Sequence, residues 1–325
     1  MLDQIAQIIR DEDHFLLTSH VRPDGDAICS VLALRRMLEE MGKASRWVLS
    51  DDPPNEFSFL YQPHELEKLT ESIDLNDIRV ICALDIPDWK RTGDAWRRLA
   101  DHPAKKICLD HHPRNGSMTD VEIRDPKSSA TTVLVHRLLK RLDHPLSLRV
   151  AQAIYTGLLT DTMSFHLANT NAEAHHVAAD CVRVGVNPAE TYEIIYGTVS
   201  FSRLKLTSLV LSTLSRTEDG RISYLYATRA MYQEAGAKRG DDEDLVEYAR
   251  SLEGTHIALF LRELENGRIR ISWRARADVD VAASARHFGG GGHVRAAGAD
   301  VEGPLERILE DVIAEARGRL EGASS

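Results

Sequence analysis

Aspartate and histidine side chains follow apolar segments of this sequence at four places. In chain order these polar groups are His20 with Asp24 and Asp26, then Asp85, then Asp110 with His111 and His112, and finally Asp161. Carboxylates that gather in one place repel one another, and their pKa values rise unless cations neutralise them. Carboxylate and imidazole ligands without a thiolate favour Mn²⁺ or Mg²⁺, and the histidines favour Mn²⁺ of the two. The four groups therefore predict a divalent-metal site, provided that the fold brings them together.

Each of these residues, taken alone, also has a purely structural explanation. Asp26 is in a position to cap a helix, His20 suits the end of a buried strand, and Asp110 suits a turn. The prediction of a metal site depends on the four groups together, because each of them comes directly after an apolar run.

The segments around these groups predict a parallel sheet flanked by helices. A buried strand over 14–20 leads through a polar turn into a helical pattern that ends at Gly42. Further strands are expected at 44–49, 80–84 and 107–109, separated by helical or irregular segments. Such alternation is typical of a parallel α/β sheet, whose ligands bind beyond the carboxyl ends of the strands. Asp161 instead follows a predicted helix, LRVAQAIYTGLLT.

The pattern changes at about residue 215, after a mostly helical stretch. Three segments alternate apolar and polar residues as half-buried strands do: RISYLYATRA, HIALFLREL and RIRISWRA. Helices are expected at 241–252, 279–287 and 304–320. The fold class predicted is α/β, with an N-terminal domain over 1–190, a helical connection over 191–214 and a smaller C-terminal α/β domain over 215–325.

Composition narrows the class of protein. A chain of 325 residues exceeds what one hydrophobic core usually spans, which favours two domains. The four cysteines stand singly in apolar surroundings and are expected to be buried thiols rather than zinc ligands. The opening segment carries acids where a signal peptide has an apolar core, so a cytoplasmic protein is expected. A net charge of -10 makes long nucleic acid a poor partner but leaves room for a short phosphorylated substrate.

A glycine-rich element near the C-terminus is the second candidate site. Four consecutive glycines, Gly289–Gly292, precede His293, and backbone without side chains can approach an anion closely. A flexible linker has a similar composition. Arg274 and Arg276 alternate on a predicted strand, so they would point to one face and could bind a phosphate or a base.

Five motifs together resemble a known family. HVRPDGDA, ALDIPD, LDHHP and GLLTDT are similar, in order and surroundings, to the four signature motifs of the DHH phosphoesterase superfamily. FGGGGHVRAAG resembles the glycine-rich signature of the DHH-associated C-terminal domain. The resemblance covers nearly the whole chain. In length, the chain is most similar to members of the NrnA branch, which degrade very short RNA and dephosphorylate pAp.

The resemblance implies roles for individual residues. One metal would be held by His20, Asp24 and Asp85, and the other by Asp26, Asp85, His111 and Asp161, with Asp85 as the bridge. His112 would face the substrate phosphate, and Asp110 would orient a neighbouring ligand. Substrate would be bound by Arg274, Gly290, Gly291, Gly292 and His293. The segment Ser272-Trp273-Arg274-Ala275 keeps the arginine of the family's Ser-Xaa-Arg-Ser pattern but lacks its second serine.

The implied activity is two-metal hydrolysis of phosphate esters, in a cleft between the two domains. Two Mn²⁺ per chain, with Mg²⁺ as a substitute, would activate a water and stabilise an in-line displacement. Expected substrates are very short oligoribonucleotides, which would yield mononucleotides, and pAp, which would lose its 3'-phosphate to give AMP. Long duplex nucleic acid and membranes are not expected as partners, and the oligomeric state stays open.

Three other interpretations use the same motifs. A phosphodiesterase of cyclic or linear dinucleotides shares this layout. A RecJ-like single-strand exonuclease shares the chemistry, but the chain lacks room for an added OB-fold and the basic surface of a tracking nuclease. A non-catalytic nucleotide-binding module is the least favoured, because a simple binder has no need of six metal ligands.

Overall fold

The computed structural model describes residues 1–113, 118–238, 240–276 and 279–322. The chain divides into two compact units, Met1–Thr198 and Val199–Ser325. The domain limits expected at 190 and 215 stay a prediction.

The first unit is built on a parallel sheet. In its described part, six strands are hydrogen bonded in the order β3-β2-β1-β4-β5-β6, and every neighbouring pair is parallel. The strands β1 to β6 are Phe15–Thr18, Ser45–Leu49, Leu66–Lys68, Val80–Leu84, Lys105–Asp110 and Val121–Arg124. Because β1, β4 and β5 are neighbours, their carboxyl ends lie side by side.

Helices cover this sheet on both faces. Helices α1 to α7 are Leu2–Asp11, Gly25–Glu40, Trp96–Ala100, Thr131–Arg141, Leu148–Asp161, Ala172–Val184 and Pro188–Tyr192. Short 3-10 helices lie at Asn55–Leu60, Pro63–Glu65 and Trp89–Thr92, and a π-helix at Glu193–Gly197. Phe15 and Leu17 of β1 pack into one core and Leu16 into a second core on the opposite face. Burial on both faces explains why these strands are continuous apolar runs rather than alternating ones.

The second unit is built on a mixed sheet. Among its described residues, six strands follow the order β11-β12-β10-β9-β8-β7, in which only β8 and β9 are parallel. The strands β7 to β12 are Ser215–Arg216, Ile222–Ala227, Ile257–Glu263, Arg268–Ala275, Gly291–His293 and Ala296–Glu302. Helices α8 to α12 are Phe201–Leu211, Arg229–Ala235, Leu245–Ser251, Val281–His287 and Leu305–Gly322. Alternate residues of β10, from Ile269 to Ala275, face a core shared with α11 and α12.

The structure confirms the predicted fold class and most of the predicted elements. The strands expected at 44–49, 80–84 and 107–109 are present, as are those around 257–263 and 268–275. The last part of RISYLYATRA was wrongly assigned to a strand, because β8 ends at Ala227 and α9 begins at Arg229. The cysteines are buried, as expected: Cys29, Cys82, Cys108 and Cys181. Across the described ranges, no helix is both long and apolar enough to cross a membrane.

Candidate metal centre

The predicted ligands meet at the carboxyl edge of the parallel sheet. His20 lies two residues after β1, Asp85 directly after β4, and Asp110 is the last residue of β5. Helices bring the rest: Asp24 and Asp26 stand at the start of α2, and Asp161 ends α5. Three groups of these side chains, each with ligand atoms within 4.8 Å of one another, could hold a metal ion: Asp85 with His111 and His112, His20 with Asp24 and Asp85, and Asp26 with His111 and Asp161.

His20 is the centre of the first cluster. Its Nε2 lies 3.6 Å from Asp85 Oδ2 and 3.8 Å from Asp24 Oδ2. Its Nδ1 is 2.9 Å from the Val21 carbonyl oxygen, which can only accept, so Nδ1 carries the proton. Nε2 is therefore left with its lone pair directed at the carboxylates, as a metal ligand requires.

His111 is the centre of the second cluster. Its Nε2 lies 3.6 Å from Asp85 Oδ1, 3.8 Å from Asp161 Oδ2 and 4.0 Å from Asp26 Oδ2. Its Nδ1 faces the Ser128 carbonyl oxygen at 3.3 Å, which again leaves Nε2 for a cation. Asp85 thus presents Oδ2 to one cluster and Oδ1 to the other. The two ligand clusters therefore share one carboxylate group.

The backbone of Asp85 is held in an uncommon conformation. Its φ of 57° lies in the left-handed region, which costs free energy for a residue with a side chain, although aspartate tolerates it better than most. The residue is also buried, with 1% exposure. Such local strain is concentrated at functional sites, where the surrounding structure imposes it.

The pKa values of the clustered carboxyl groups reveal an electrostatic conflict. Burial, followed by the charges of Asp85 and Asp161, raises the pKa of Asp26 well above its usual value. Burial chiefly raises the pKa of Asp161 to about 6, although the nearby His111 acts in the opposite direction. For Asp85 burial also acts to raise the pKa, but His20, His112 and His111 outweigh it and lower the pKa. Divalent cations resolve this conflict, and the donor set of oxygen and imidazole nitrogen suits them.

Helix α4 supports the site in a way that the sequence did not reveal. The N–H groups of Thr131 and Thr132 donate to Asp26 Oδ2 at 2.6 Å and Oδ1 at 3.0 Å, and the Thr131 hydroxyl donates to Asp85 Oδ1 at 3.0 Å. The start of a helix has free N–H groups and a partial positive charge, both of which stabilise a buried carboxylate. Asp26 is therefore not a helix cap; Asp24 fills that role by accepting from the Ala27 N–H at 3.0 Å.

Asn169 is a second supporting residue that sequence analysis missed. Its Nδ2 lies 3.2 Å from Asp161 Oδ2 and 3.1 Å from the Asp161 carbonyl oxygen. It also donates to the Ser129 carbonyl oxygen at 3.0 Å, so it links the end of α5 to the segment just before α4. The only signal in the sequence is its position eight residues after Asp161.

His112 is placed beside the two clusters and oriented by Asp110. Its Nδ1 lies 2.8 Å from Asp110 Oδ1, and its backbone N–H donates to the same oxygen at 3.1 Å. The hydrogen bond to Asp110 raises the pKa of His112, while burial opposes this and Asp85 adds to it. With Nδ1 protonated towards Asp110, Nε2 is left for another partner. The side chain is 41% exposed, which allows access from solvent.

In the second unit, Arg274 and His293 share one face of the sheet. Both are paired with Ala296, which lies on β12 between their strands. Directly opposed residues of antiparallel strands point to the same face, so the two side chains stand about 9 to 10 Å apart across β12. Arg274 is 34% exposed and its Nε is 3.4 Å from Glu247 Oε1. Arg276 lies one residue beyond the end of β10.

Two glycines of the glycine-rich element allow its backbone to pack closely against β12. A side chain at Gly290 would overlap the Gly298 carbonyl oxygen, and one at Gly292, where φ is +148°, would overlap Ala296 and Ala297. The N–H groups of Gly289 and Gly290 donate to Arg286 and Ala285 at the end of α11. The N–H groups of these two glycines therefore already have partners within the second unit, and the assignment of Gly290 to substrate binding stays a prediction.

Gly291 differs from its neighbours. Among described residues, no heavy atom lies within 4 Å of where its Cβ would stand. It pairs with Gly298, which pairs in turn with Ser272. This row lies two residues along the strands from the row of His293, Ala296 and Arg274, and so on the same face of the sheet. On this face, the backbone around Gly291, which we call the glycine floor, carries no side chain and lies near the side chains of Arg274 and His293. Such a surface suits a phosphate or a flat ring.

Known protein families match both parts of the chain. Residues 14–158 match the DHH family, N-terminal domain, and residues 221–321 match the DHHA1 domain. A bifunctional oligoribonuclease and PAP phosphatase NrnA from Thermus thermophilus is 34% identical over 317 residues, covering 95% of this chain and 92% of the relative. The protein of that name from Bacillus subtilis is 26% identical, covering 96% and 97%.

Solved structures agree on the architecture. An exopolyphosphatase-related protein from Bacteroides fragilis has a TM-score of 0.89 at 28% identity, covering 97% of this chain and 94% of that one. RecJ from Thermus thermophilus in complex with Mn²⁺ has a TM-score of 0.54 at 14% identity, covering 100% of this chain and 55% of that one, and shares the fold. With both domains matched, and with a relative at 34% identity along nearly its whole length, this chain belongs to the DHH family.

Proposed function

We propose that this protein is a divalent-metal phosphoesterase that hydrolyses very short oligoribonucleotides to mononucleotides and removes the 3'-phosphate of pAp to give AMP. One observation carries the proposal: the two oxygens of the buried Asp85 face two separate ligand clusters, at 3.6 Å from His20 and 3.6 Å from His111. The names of the relatives, oligoribonuclease and PAP phosphatase, supply the substrate class.

Two Mn²⁺ ions fit these residues, with Mg²⁺ as a substitute. His20, Asp24 and Asp85 would hold one ion, and Asp26, Asp85, His111 and Asp161 the other. When bound, the pair would activate water and neutralise charge on the phosphate during an in-line displacement. The raised pKa values of Asp26 and Asp161 in the absence of cations support this assignment.

Side chains of both units would act on the substrate. His112 keeps Nε2 free of Asp110 and is partly exposed, so it can donate a hydrogen bond to the phosphate or a proton to the leaving oxygen. Asp110 fixes its tautomer. Arg274, His293 and the floor around Gly291 would bind a terminal nucleotide, with Gly290 and Gly292 shaping that floor. The active site in a cleft between the domains stays a prediction.

We expect a preference for short substrates because few residues are candidates for contact with phosphate. The net charge of -10 gives little general attraction for a polyanion. A site that grips one terminal nucleotide gains little from further nucleotides, which add no contacts that strengthen in the transition state.

A substrate panel tests the proposal. Purified protein with Mn²⁺ is incubated with a diribonucleotide, a 24-residue single-stranded RNA, pAp, a linear and a cyclic dinucleotide of the signalling type, and polyphosphate. We expect the diribonucleotide and pAp to be hydrolysed fastest, with mononucleotide products. The Asp85→Asn variant, purified in parallel, controls for contaminating nucleases. A kcat/KM that is higher for the 24-residue RNA than for the diribonucleotide, or that is highest for the cyclic dinucleotide, would assign the protein to one of the alternatives.

A further inference from the structure

A buried arginine lies beneath the metal edge of the sheet. Arg124 is the last residue of β6, and its side chain is only 4% exposed. Its Nη1 donates to Asp110 Oδ2 at 2.6 Å, and its Nη2 lies 3.4 Å from the Ile86 carbonyl oxygen and 3.3 Å from that of Pro87. One guanidinium therefore contacts both the last residue of β5 and the segment that follows the neighbouring strand β4.

The contact with Asp110 completes a chain of three side chains. Asp110 uses Oδ2 for Arg124 and Oδ1 for the Nδ1 of His112. Without Arg124, this carboxylate, which has 0% exposure, could rotate, and only its contacts with His112 would compensate its buried charge. The planar guanidinium fixes the carboxylate plane, and the carboxylate fixes the ring of His112.

The contact with the β4 segment acts on the proposed bridging ligand. Ile86 and Pro87 follow Asp85, whose backbone lies in the left-handed region at φ 57°. A conformation of this kind persists only when its surroundings hold it in place. The two carbonyl oxygens bound by Arg124 belong to the residues directly after this strained position.

We propose that Arg124 is a positioning residue for the hydrolytic reaction, and that it holds the ring of His112 and the backbone around Asp85 in one geometry. An ordinary structural ion pair needs only the contact with Asp110. Arg124 Nη2 makes two additional contacts, with the carbonyl oxygens of Ile86 and Pro87, which together we call the fork. The fork uses the planar, multi-donor geometry that distinguishes arginine from lysine. This inference rests on the proposed function, since it assigns Arg124 to that same site.

The test compares Arg124→Met and Arg124→Lys with Arg36→Met. Arg36 is a matched control because it is also buried and paired with a carboxylate, Glu65, and contacts a carbonyl oxygen, that of Leu60. For each variant, kcat and KM for a diribonucleotide, the Kd for Mn²⁺ by calorimetry, and the melting temperature are measured. For Arg124→Met we expect kcat to fall by about 10- to 100-fold with KM within about threefold, and the Kd for Mn²⁺ to rise.

The controls separate positioning from stability. Arg36→Met should lower the melting temperature and leave kcat and the Kd for Mn²⁺ unchanged. Arg124→Lys keeps the buried charge and the pair with Asp110, so it should fold and recover part of kcat. If Arg124→Lys is folded and has wild-type kcat and Mn²⁺ affinity, the fork has no function and the proposal is wrong. It is equally wrong if Arg124→Met loses no more kcat than Arg36→Met.

A double variant tests the path through Asp110. If Arg124 acts partly through that carboxylate, Arg124→Met in an Asp110→Asn background should reduce kcat by a smaller factor than it does alone. Full multiplication of the two factors would contradict this path. A wild-type enzyme that binds Mn²⁺ but does not hydrolyse the diribonucleotide would instead count against the proposed function, and the Mn²⁺ affinities would still report on Arg124.

Discussion

Asp85 combines burial, a left-handed backbone and two carboxylate oxygens directed at different histidines. We expect Asp85→Asn to reduce kcat by more than about 100-fold, the upper end of what loss of a supporting residue around a metal costs. The amide keeps the size of the side chain but cannot bridge two cations as an anion does. Steady-state hydrolysis of a diribonucleotide at saturating Mn²⁺ measures this change.

Asp88→Asn is the matched control for that experiment. Asp88 lies three residues further along and caps the 3-10 helix that begins at Trp89, where asparagine caps about as well. Its kcat should stay within about twofold of the wild-type value. Near-normal turnover by Asp85→Asn would show that no bridging carboxylate is needed.

At the residue scale, the sequence revealed ligands better than the residues that support them. The six proposed ligands belong to groups that follow apolar runs, and the sheet edge, the start of α2 and the end of α5 then bring them together. Arg124, Thr131 and Asn169 have no such mark in the sequence. An arginine in VEIR looks like any surface cation, and only the fold shows that its guanidinium is buried beside Asp110.

At the scale of elements, close packing between helices fixes the position of Asp161. Gly157 lies on α5 one turn before Asp161, and a Cβ there would stand 2.5 Å from Thr132 Cγ2 on α4 and 2.8 Å from Cys29 Cβ on α2. We expect Gly157→Ala to destabilise the protein by about 1 to 3 kcal/mol through overpacking. Mn²⁺-dependent kcat should fall as well, because a displaced α5 moves Asp161 away from His111.

Gly318→Ala is the control for this substitution. Gly318 lies within α12, and in the described chain no heavy atom stands within 4 Å of its Cβ position. Alanine there should raise the free energy of unfolding by up to about 1 kcal/mol through helix propensity and leave turnover unchanged. Chemical denaturation and activity are measured for both variants. Equal stability changes of the same sign would show that Gly157 is not a packing site.

An ion pair joins Arg36 on α2 to Glu65 in the 3-10 helix at Pro63–Glu65. This ion pair should make the free energy of unfolding depend on pH in the acid range. Burial would raise the pKa of Glu65, but hydrogen bonds from Arg36 and the Gln62 N–H, and the charges of Arg36 and Arg35, lower it to about 2. The folded state therefore binds its proton more weakly than the unfolded state. The resulting stabilisation, about 3 kcal/mol, is complete above the unfolded pKa and is lost as pH falls from about 4.5 towards 2.

Urea unfolding of the wild type and Glu65→Gln at neutral pH and at about pH 3 measures this effect. The difference between the two proteins should be more than halved at the lower pH. Glu67→Gln serves as a control, because Glu67 is 42% exposed beside Arg46 and its substitution should cost less than about 1 kcal/mol. A difference for Glu65→Gln that does not change with pH would contradict the assigned ion pair.

The elements that sequence analysis missed are those with weak patterns. β12 is AAGADVE, whose small residues have little preference for strands, and it forms through its pairing with β10. β6 has only four residues, VEIR, so its alternation of apolar and polar residues is too short to stand out from the loops around it. Both strands depend on distant partners, which a local pattern cannot show.

At the scale of the whole molecule, the charge of -10 and the small substrate face predict a weak dependence on salt. A single strand loses about 0.7 in log affinity per tenfold salt increase for each phosphate neutralised. We expect the slope of log(kcat/KM) against log[KCl] for a trinucleotide to be shallower than about -2, and Arg274→Met to reduce its magnitude by about 0.7. Arg319→Met, on α12, should leave the slope unchanged. A steep slope that grows with RNA length would indicate an extended basic track.

The length of the chain and the change of pattern near residue 215 predicted two domains, a parallel sheet and a second sheet. The cytoplasmic location and the cleft stay predictions, because neither is a property of one domain's packing.

A crystal structure of the protein soaked in MnCl₂, with anomalous diffraction collected at the manganese edge, tests the metal centre most directly. We predict two anomalous peaks per chain, one in contact with His20, Asp24 and Asp85 and the other with Asp26, Asp85, His111 and Asp161. Asp85 should contact both. A single peak, or two peaks of which neither contacts Asp85, would contradict the bridging arrangement on which the proposed reaction depends.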